Sequence, residues 1–204
     1  MRFGFYLPTR GPQANRRDLL AFLTTAESLG FDSVMVADHI LVPAKIDSAY
    51  PYTVGGNFLS KAECMEQITL MAFVAAATEK LRIVSSVMIV PHRNPIQCAK
   101  ALATTDVLSD GRVTVGVGVG WMEEEFKALA APDFKRRGAS TDEYIQIWKK
   151  LWTGEAVSHQ GEFYSFDEIY CQPRPVQQPH PPIWIGGHSN PALRRVARLG
   201  DGWH

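Results

Sequence analysis

Asp38-His39 follows directly on a short apolar segment, Ser33 to Ala37, that reads as a strand. A histidine at the carboxyl end of a strand can take or give a proton near neutral pH, because its reference pKa is about 6.5. Moving a hydride to or from a substrate needs such a partner, since the product must gain or lose a proton. His39 is therefore the candidate acid–base group; the structural alternative is an Asp-His hydrogen bond closing the strand end. A second group points to an anion. Gly186, Gly187, His188, Ser189 and Asn190 stand between the apolar run Ile183-Trp184-Ile185 and Pro191, which opens a helical stretch. Exposed amides, a hydroxyl and a helix dipole favour phosphate; a simple N-cap with glycine for chain reversal is the alternative. The third is Val113 to Trp121, where glycines alternate with valines. Side chains alternate across a strand, so Thr114, Gly116, Gly118 and Gly120 share one face. The expectation is a hollow in which a flat redox ring nests, its charged tail reaching Ser189.

Other chemistries fit less well. The remaining histidines, at 92, 159, 180, 188 and 204, show no HxH or HExxH spacing, and the cysteines show no CxxC, so no metal site is expected. Gly116-x-Gly118-x-Gly120 lacks the last spacing of a dinucleotide fingerprint, and no Gly-Lys-Ser/Thr is present for a P-loop. Lys135, Arg136 and Arg137 read as a solvated face, with contact to an anionic tail as the alternative. Trp148 and Trp152, four apart, read as core. The 204 residues carry no net charge, which argues against a nucleic-acid partner. Three scattered cysteines, Cys64, Cys98 and Cys171, suit a reducing compartment. No apolar run approaches the roughly 18–20 residues of a membrane span, and Met1-Arg2-Phe3-Gly4 opens neither a signal nor a transit peptide. A cytoplasmic protein without a membrane partner is expected.

The elements that must position these residues alternate. Strands are expected at Arg2 to Leu7, Ser33 to Ala37, Arg82 to Met88, the glycine-rich segment, and Ile183 to Ile185, with another beginning at Asp201-Gly202-Trp203. Helices are expected at Asn15 to Leu29, Glu63 to Thr78, Asn94 to Leu108 and Asn190 to Leu199. A further helix, through Trp152, is expected to open on a capping box of Ser140 and Glu143. Residues 40–61 read as an insertion loop near the active site, and 155–170 as a polar hairpin. Such alternation gives an α/β fold with a parallel sheet. About five and a half βα units are too few for a closed eight-stranded barrel. The chain therefore reads as a fragment, a truncated relative, or a chain whose open edge a partner covers.

These motifs together resemble the luciferase-like flavin and deazaflavin oxidoreductases, especially the branch that uses coenzyme F420. The resemblance runs through Met1-Arg2-Phe3-Gly4 with Leu7-Pro8, Asp38-His39, Ser85-Ser86-Val87, Pro91-His92-Arg93-Asn94-Pro95 and Leu108-Ser109-Asp110-Gly111-Arg112. It continues through Gly116 to Trp121, Arg137-Gly138, Asp142-Glu143-Tyr144, Pro182 to Gly187 and Asp201-Gly202-Trp203. It implies a TIM (β/α)8-barrel type of fold over 1–204, lacking the C-terminal units, and a homodimer. By resemblance the cofactor, F420 or alternatively FMN, contacts Asp38, Ser86, Val87, Ile89, Val119, Gly120, Glu124, Gly186, Gly187, Ser189 and Asn190. A non-proline cis peptide is implied within Ser85-Ser86-Val87. Ile89 stands where a relative has a threonine, so only its backbone would bind. Trp121 occupies the place of a second catalytic carboxylate in the sugar-phosphate dehydrogenases. That departure argues for another substrate and makes Trp121 a candidate wall of the substrate pocket. The implied activity is hydride transfer between F420 and a small organic substrate. An FMN-dependent monooxygenase and a non-catalytic flavin-binding paralogue are the alternatives.

Overall fold

The computed structural model describes residues 1–56, 58 and 64–204. Parallel strands alternate with helices from the start: β1 (Gly4–Tyr6), α1 (Arg16–Ser28), β2 (Ser33–Val36), α2 (Gln67–Ala77), β3 (Arg82–Ser85) and β4 (Met88–Ile89). Then come α3 (Pro95–Leu108), β5 (Val113–Gly118), α4 (Glu123–Ala128), α5 (Arg137–Leu151) and the antiparallel pair β6 (Val157–Gln160) and β7 (Ser165–Ile169). β8 (Ile183–Ile185), α6 (Asn190–Leu199) and β9 (Gly202–Trp203) close the order. The main sheet runs β1-β2-β3-β5-β8-β9, every pair parallel, with β4 also on β5. This is an α/β arrangement of barrel type, with β1 and β9 as its edges among the described residues.

Helix starts follow local chemistry. Asn15 accepts the Asp18 amide at the head of α1, and Asn94 accepts the Ile96 and Gln97 amides at α3, where Pro95 needs no partner for a missing N–H. The expected start of α2 at Glu63 falls outside the described residues; its N-cap is Glu66. The expected capping box is absent. Ser140 and Glu143 lie inside α5, Ser140 bonds back to the Arg137 carbonyl, and Glu143 accepts amides of Glu162, Phe163 and Tyr164 in the β6–β7 turn. The core lies between the sheet and α2, α3 and α5. Trp148 and Trp152 are fully buried there, their indole N–H groups donating to the carbonyls of Pro95 and Ala99.

The glycine-rich strand departs from expectation in an informative way. A Cβ on Gly116 would overlap the Ser85 carbonyl, and one on Gly118 would stand 2.6 Å from Val87 Cγ2. The space left by the missing side chains is filled by the protein itself. The expected third strand is broken into β3 and β4, and between them Ser86-Val87, joined by a cis peptide bond, swells toward β5. The glycines make room for that swelling rather than for a ring.

Candidate active site

A cleft of about 900 Å³ opens where the strands end. It collects Asp38 and His39 after β2, Ser86 and Val87 between β3 and β4, Val119 to Trp121 after β5, Gly186 to Ser189 after β8, and His204 after β9. Chemistry at the carboxyl ends of parallel strands is the arrangement this topology favours, because loops of several units converge there. Ile89, at the end of β4, also faces the cleft. Two of the expected cofactor residues, Glu124 and Asn190, are not among the lining residues. Both Glu124 oxygens are taken by the loop after β2, accepting the Asp47 and Ser48 amides and the Ser48 hydroxyl.

His39 is held by the neighbouring carboxylate. Its Nδ1 lies 2.8 Å from Oε2 of Glu125, a residue with no solvent exposure. Burial by itself would raise the Glu125 carboxyl, but the His39 hydrogen bond, His92 and the Ile40 amide outweigh it and hold the pKa below the ordinary range. The ionised carboxylate accepts the Nδ1 proton, which fixes the tautomer and leaves Nε2 as the exchangeable nitrogen on the cleft side. Glu125 was missed in the sequence, although a signal was there. Met122, Phe126 and Leu129 mark one helical face at i, i+4 and i+7, and Glu125 at i+3 falls inside that stripe.

Asp38 does a different job from His39. Its oxygens accept a two-pronged hydrogen bond from Arg93, at 2.7 and 2.8 Å, and the Ile89 amide. Arg93 also reaches Glu66 at the head of α2. This buried lock fixes the loop that carries His39, and it leaves Asp38 no free oxygen lone-pair face of consequence for a ligand. His92, enclosed beside it, packs on the Phe126 ring at 4.6 Å and, among the described residues, has no hydrogen-bond partner for either ring nitrogen. Burial pushes its pKa down to about 4. Across the cleft, Ser86 Oγ stands 2.6 Å from the Tyr6 hydroxyl and 2.7 Å from His204 Nε2.

The far end suits an anion. Gly187 has φ +100, a conformation side chains rarely take, and the Ser189 hydroxyl accepts the Ala192 amide at the head of α6. Arg137 and Arg195 line the same region; Arg137 donates to the Gly120 and Phe134 carbonyls, and Arg195 donates to the Gly138 carbonyl and is paired with the Asp142 carboxylate. Arg137 therefore leaves the solvated face expected for it, while Lys135 and Arg136 stay exposed. Trp121 also lines the cleft, beside Tyr50, Tyr52 and Phe58, which the sequence reading did not single out. Among the described residues, no group of three or more His, Cys, Asp or Glu is placed to hold a metal ion. No helix there is long and apolar enough to cross a membrane.

Parallel strands with a cleft at their carboxyl ends, and an oriented histidine within it, define a protein of the α/β barrel class. The chain belongs to the luciferase-like monooxygenase family, whose model matches residues 1–204. It is similar to the F420-dependent glucose-6-phosphate dehydrogenase of Amycolatopsis mediterranei, 33% identical over 94% of this chain and 54% of that protein. It is also similar to the FMNH2-dependent dimethylsulfone monooxygenase of Pseudomonas putida, 36% identical over 68% of this chain and 38% of that one. The crystal structure of monooxygenase RslO1 from Streptomyces bottropensis superposes with a TM-score of 0.75 at 28% identity, covering 97% of this chain and 57% of its own. Mycobacterial relatives are matched over 61% of their length, so the chain spans about three fifths of them. The family thus includes F420-dependent and FMN-dependent oxidoreductases.

Proposed function

We propose that this protein is an oxidoreductase that transfers a hydride between coenzyme F420 and a small organic substrate, with His39 as the proton donor or acceptor. The observation that carries the reading is the His39–Glu125 pair, 2.8 Å apart at the mouth of the cleft. The cleft has room for such a cofactor, and Gly187, at φ +100, keeps its backbone bare just ahead of α6, whereas Gly186 leaves room for Val87, whose Cγ1 would stand 2.8 Å from a Cβ at that position. Gly187, Ser189 and the head of α6 would hold the anionic tail, with Arg137 supplying positive charge while Arg195 is neutralised by Asp142. Ser86, Val87, Ile89, Val119 and Gly120 would bound the ring. When bound, the deazaflavin supplies the hydride or accepts it.

The chain's own residues do the rest. Glu125 keeps the His39 proton on Nδ1, so Nε2 takes the proton released as an alcohol is oxidised, or delivers one in the reverse direction. The Asp38–Arg93 lock prevents the loop carrying His39 from drifting, which preserves the short distances proton transfer needs. A second reading, an FMN-dependent monooxygenase, draws on the 36% identity to the dimethylsulfone enzyme. In either reading the protein is taken to be cytoplasmic and homodimeric, a single barrel-type domain with an insertion loop near the active site at 40–61, of which 57 and 59–61 lie outside the described residues.

Titration with each cofactor, followed by fluorescence, tests the reading directly. F420 is expected to bind at least tenfold more tightly than FMN; the opposite order selects the second reading, and binding of neither removes both. His39→Ala is expected to change cofactor affinity less than about threefold while lowering turnover about 10²- to 10⁴-fold. Equal losses in both would deny His39 its proton role.

A further inference from the structure

We propose that the substrate side of the cleft is an aromatic box and that the substrate is a planar aromatic compound rather than a sugar phosphate or a short aliphatic molecule. The inference rests on the reading of the cleft as an oxidoreductase site and names the substrate class for it. The Trp121 ring lies 5.0 Å from that of Tyr50, 5.3 Å from Phe58 and 6.2 Å from His39. Phe58 in turn lies 5.1 Å from His39 and 5.3 Å from Tyr50. The planes meet at 51° to 83°, so the rings meet one another tilted or edge-on rather than in stacks. All four residues line the cleft, so the cluster presents aromatic surface to a further aromatic group, which favours offset or edge contacts with its neighbours.

The polar groups on this side argue in the same direction. Among the described residues the cleft is lined by no Glu, Gln, Asn or Lys, and its serines and the arginines Arg137 and Arg195 come from other segments than the aromatic cluster. Its one carboxylate, Asp38, is closed within the Arg93 fork. The basic group at this end, Arg10, sits 5.5 Å over the Phe58 ring and reinforces an aromatic surface. Placing the box against His39 sets a bound ring beside Nε2, where a benzylic alcohol gives up its hydroxyl proton as its carbon gives up a hydride to the cofactor.

α4 holds the box in place. Glu124 accepts the Asp47 amide at 2.7 Å and the Ser48 amide at 2.9 Å, just ahead of Tyr50, while Glu125 accepts the Ile40 amide at 2.9 Å, just after His39. Glu124 is thus a positioning residue for the aromatic wall, in place of the cofactor contact expected for it.

Calorimetric titration of the cofactor-free protein with 2-naphthol and, separately, with glucose 6-phosphate tests the box. We expect 2-naphthol to bind at least a hundredfold more tightly. Trp121→Leu and Tyr50→Leu should each weaken 2-naphthol about tenfold, and Glu124→Gln severalfold, with cofactor affinity of each variant within about threefold of the parent. Near-parental cofactor affinity also shows that a variant is folded. Equal binding of the two probes, or unchanged 2-naphthol affinity in both leucine variants, overturns the box. The two readings fail separately: naphthol binding without binding of either cofactor leaves the box and removes the redox role, and cofactor binding without naphthol binding does the reverse.

Discussion

His92 has the most costly surroundings of any side chain near the cleft. It is fully enclosed, faces Glu125 at 3.6 Å, and has Asp38, Arg93 and His39 as its other charged or titratable neighbours. Desolvation dominates over the attraction of the two carboxylates and depresses its pKa from 6.5 to about 4. An unfolded chain therefore binds one proton more than the native one between those values. Stability is fully present above pH 6.5 and falls as the pH drops toward 4, by about 3 kcal/mol at most. His92→Leu should remove that acid limb, so that urea midpoints measured from pH 7 to pH 4 decline less steeply than those of the parent. A parallel decline would mean that the acid sensitivity lies elsewhere, in Glu125 for example, whose depressed carboxyl adds a loss at lower pH. The side chain also shows why a histidine inside Pro91-His92-Arg93 cannot be judged from sequence: its role is set by Phe126 and Glu125, which reach it from the far side of β5.

At the scale of elements, the long periodic pieces were readable and the short ones were not. α6 spans the expected Asn190 to Leu199, and α1 and α3 fall within a residue of expectation, because capping residues and apolar periodicity agree there. α4, six residues with Glu123, Glu124 and Glu125 in its first turn, is too short to stand out as a helix, although Met122, Phe126 and Leu129 mark an apolar face across it. Its absence from the sequence reading is why Glu125 was passed over, while Glu124 was assigned to the cofactor by resemblance alone. The glycine strand was located correctly, but its empty face could not be understood without the swelling of Ser86-Val87 that fills it. Arg112 has a similar history. Within a family-like motif, it proves to be a clasp, bonding the carbonyls of Ala75, Thr78, Leu81 and Ser109 around the end of α2. The turn into α6 yields a prediction at this scale. Gly187→Val forces a branched side chain to φ +100, while Gly30→Val imposes a comparable strain at φ +78 with nothing within 4 Å. Both should lose about 1–3 kcal/mol of stability, but only Gly187→Val should lower cofactor affinity tenfold or more. Equal cofactor affinity in the two variants would move the anion site away from α6.

Across the whole molecule, protection should grade from the middle of the sheet outward. β5 is paired on both sides, with β3 and β4 on one and β8 on the other, and Val113, Val115 and Val117 are fully buried. β1 and β9 each pair once among the described residues, and Phe3, Tyr6 and Trp203 beside them are about 60% exposed. Opening an edge strand breaks one ladder and exposes little new apolar surface, whereas opening β5 breaks two and uncovers the core, so exchange at the centre requires far larger unfolding. Hydrogen exchange should therefore be slowest in β3 and β5 and fastest in β1 and β9. Uniform protection across the sheet would remove the gradient.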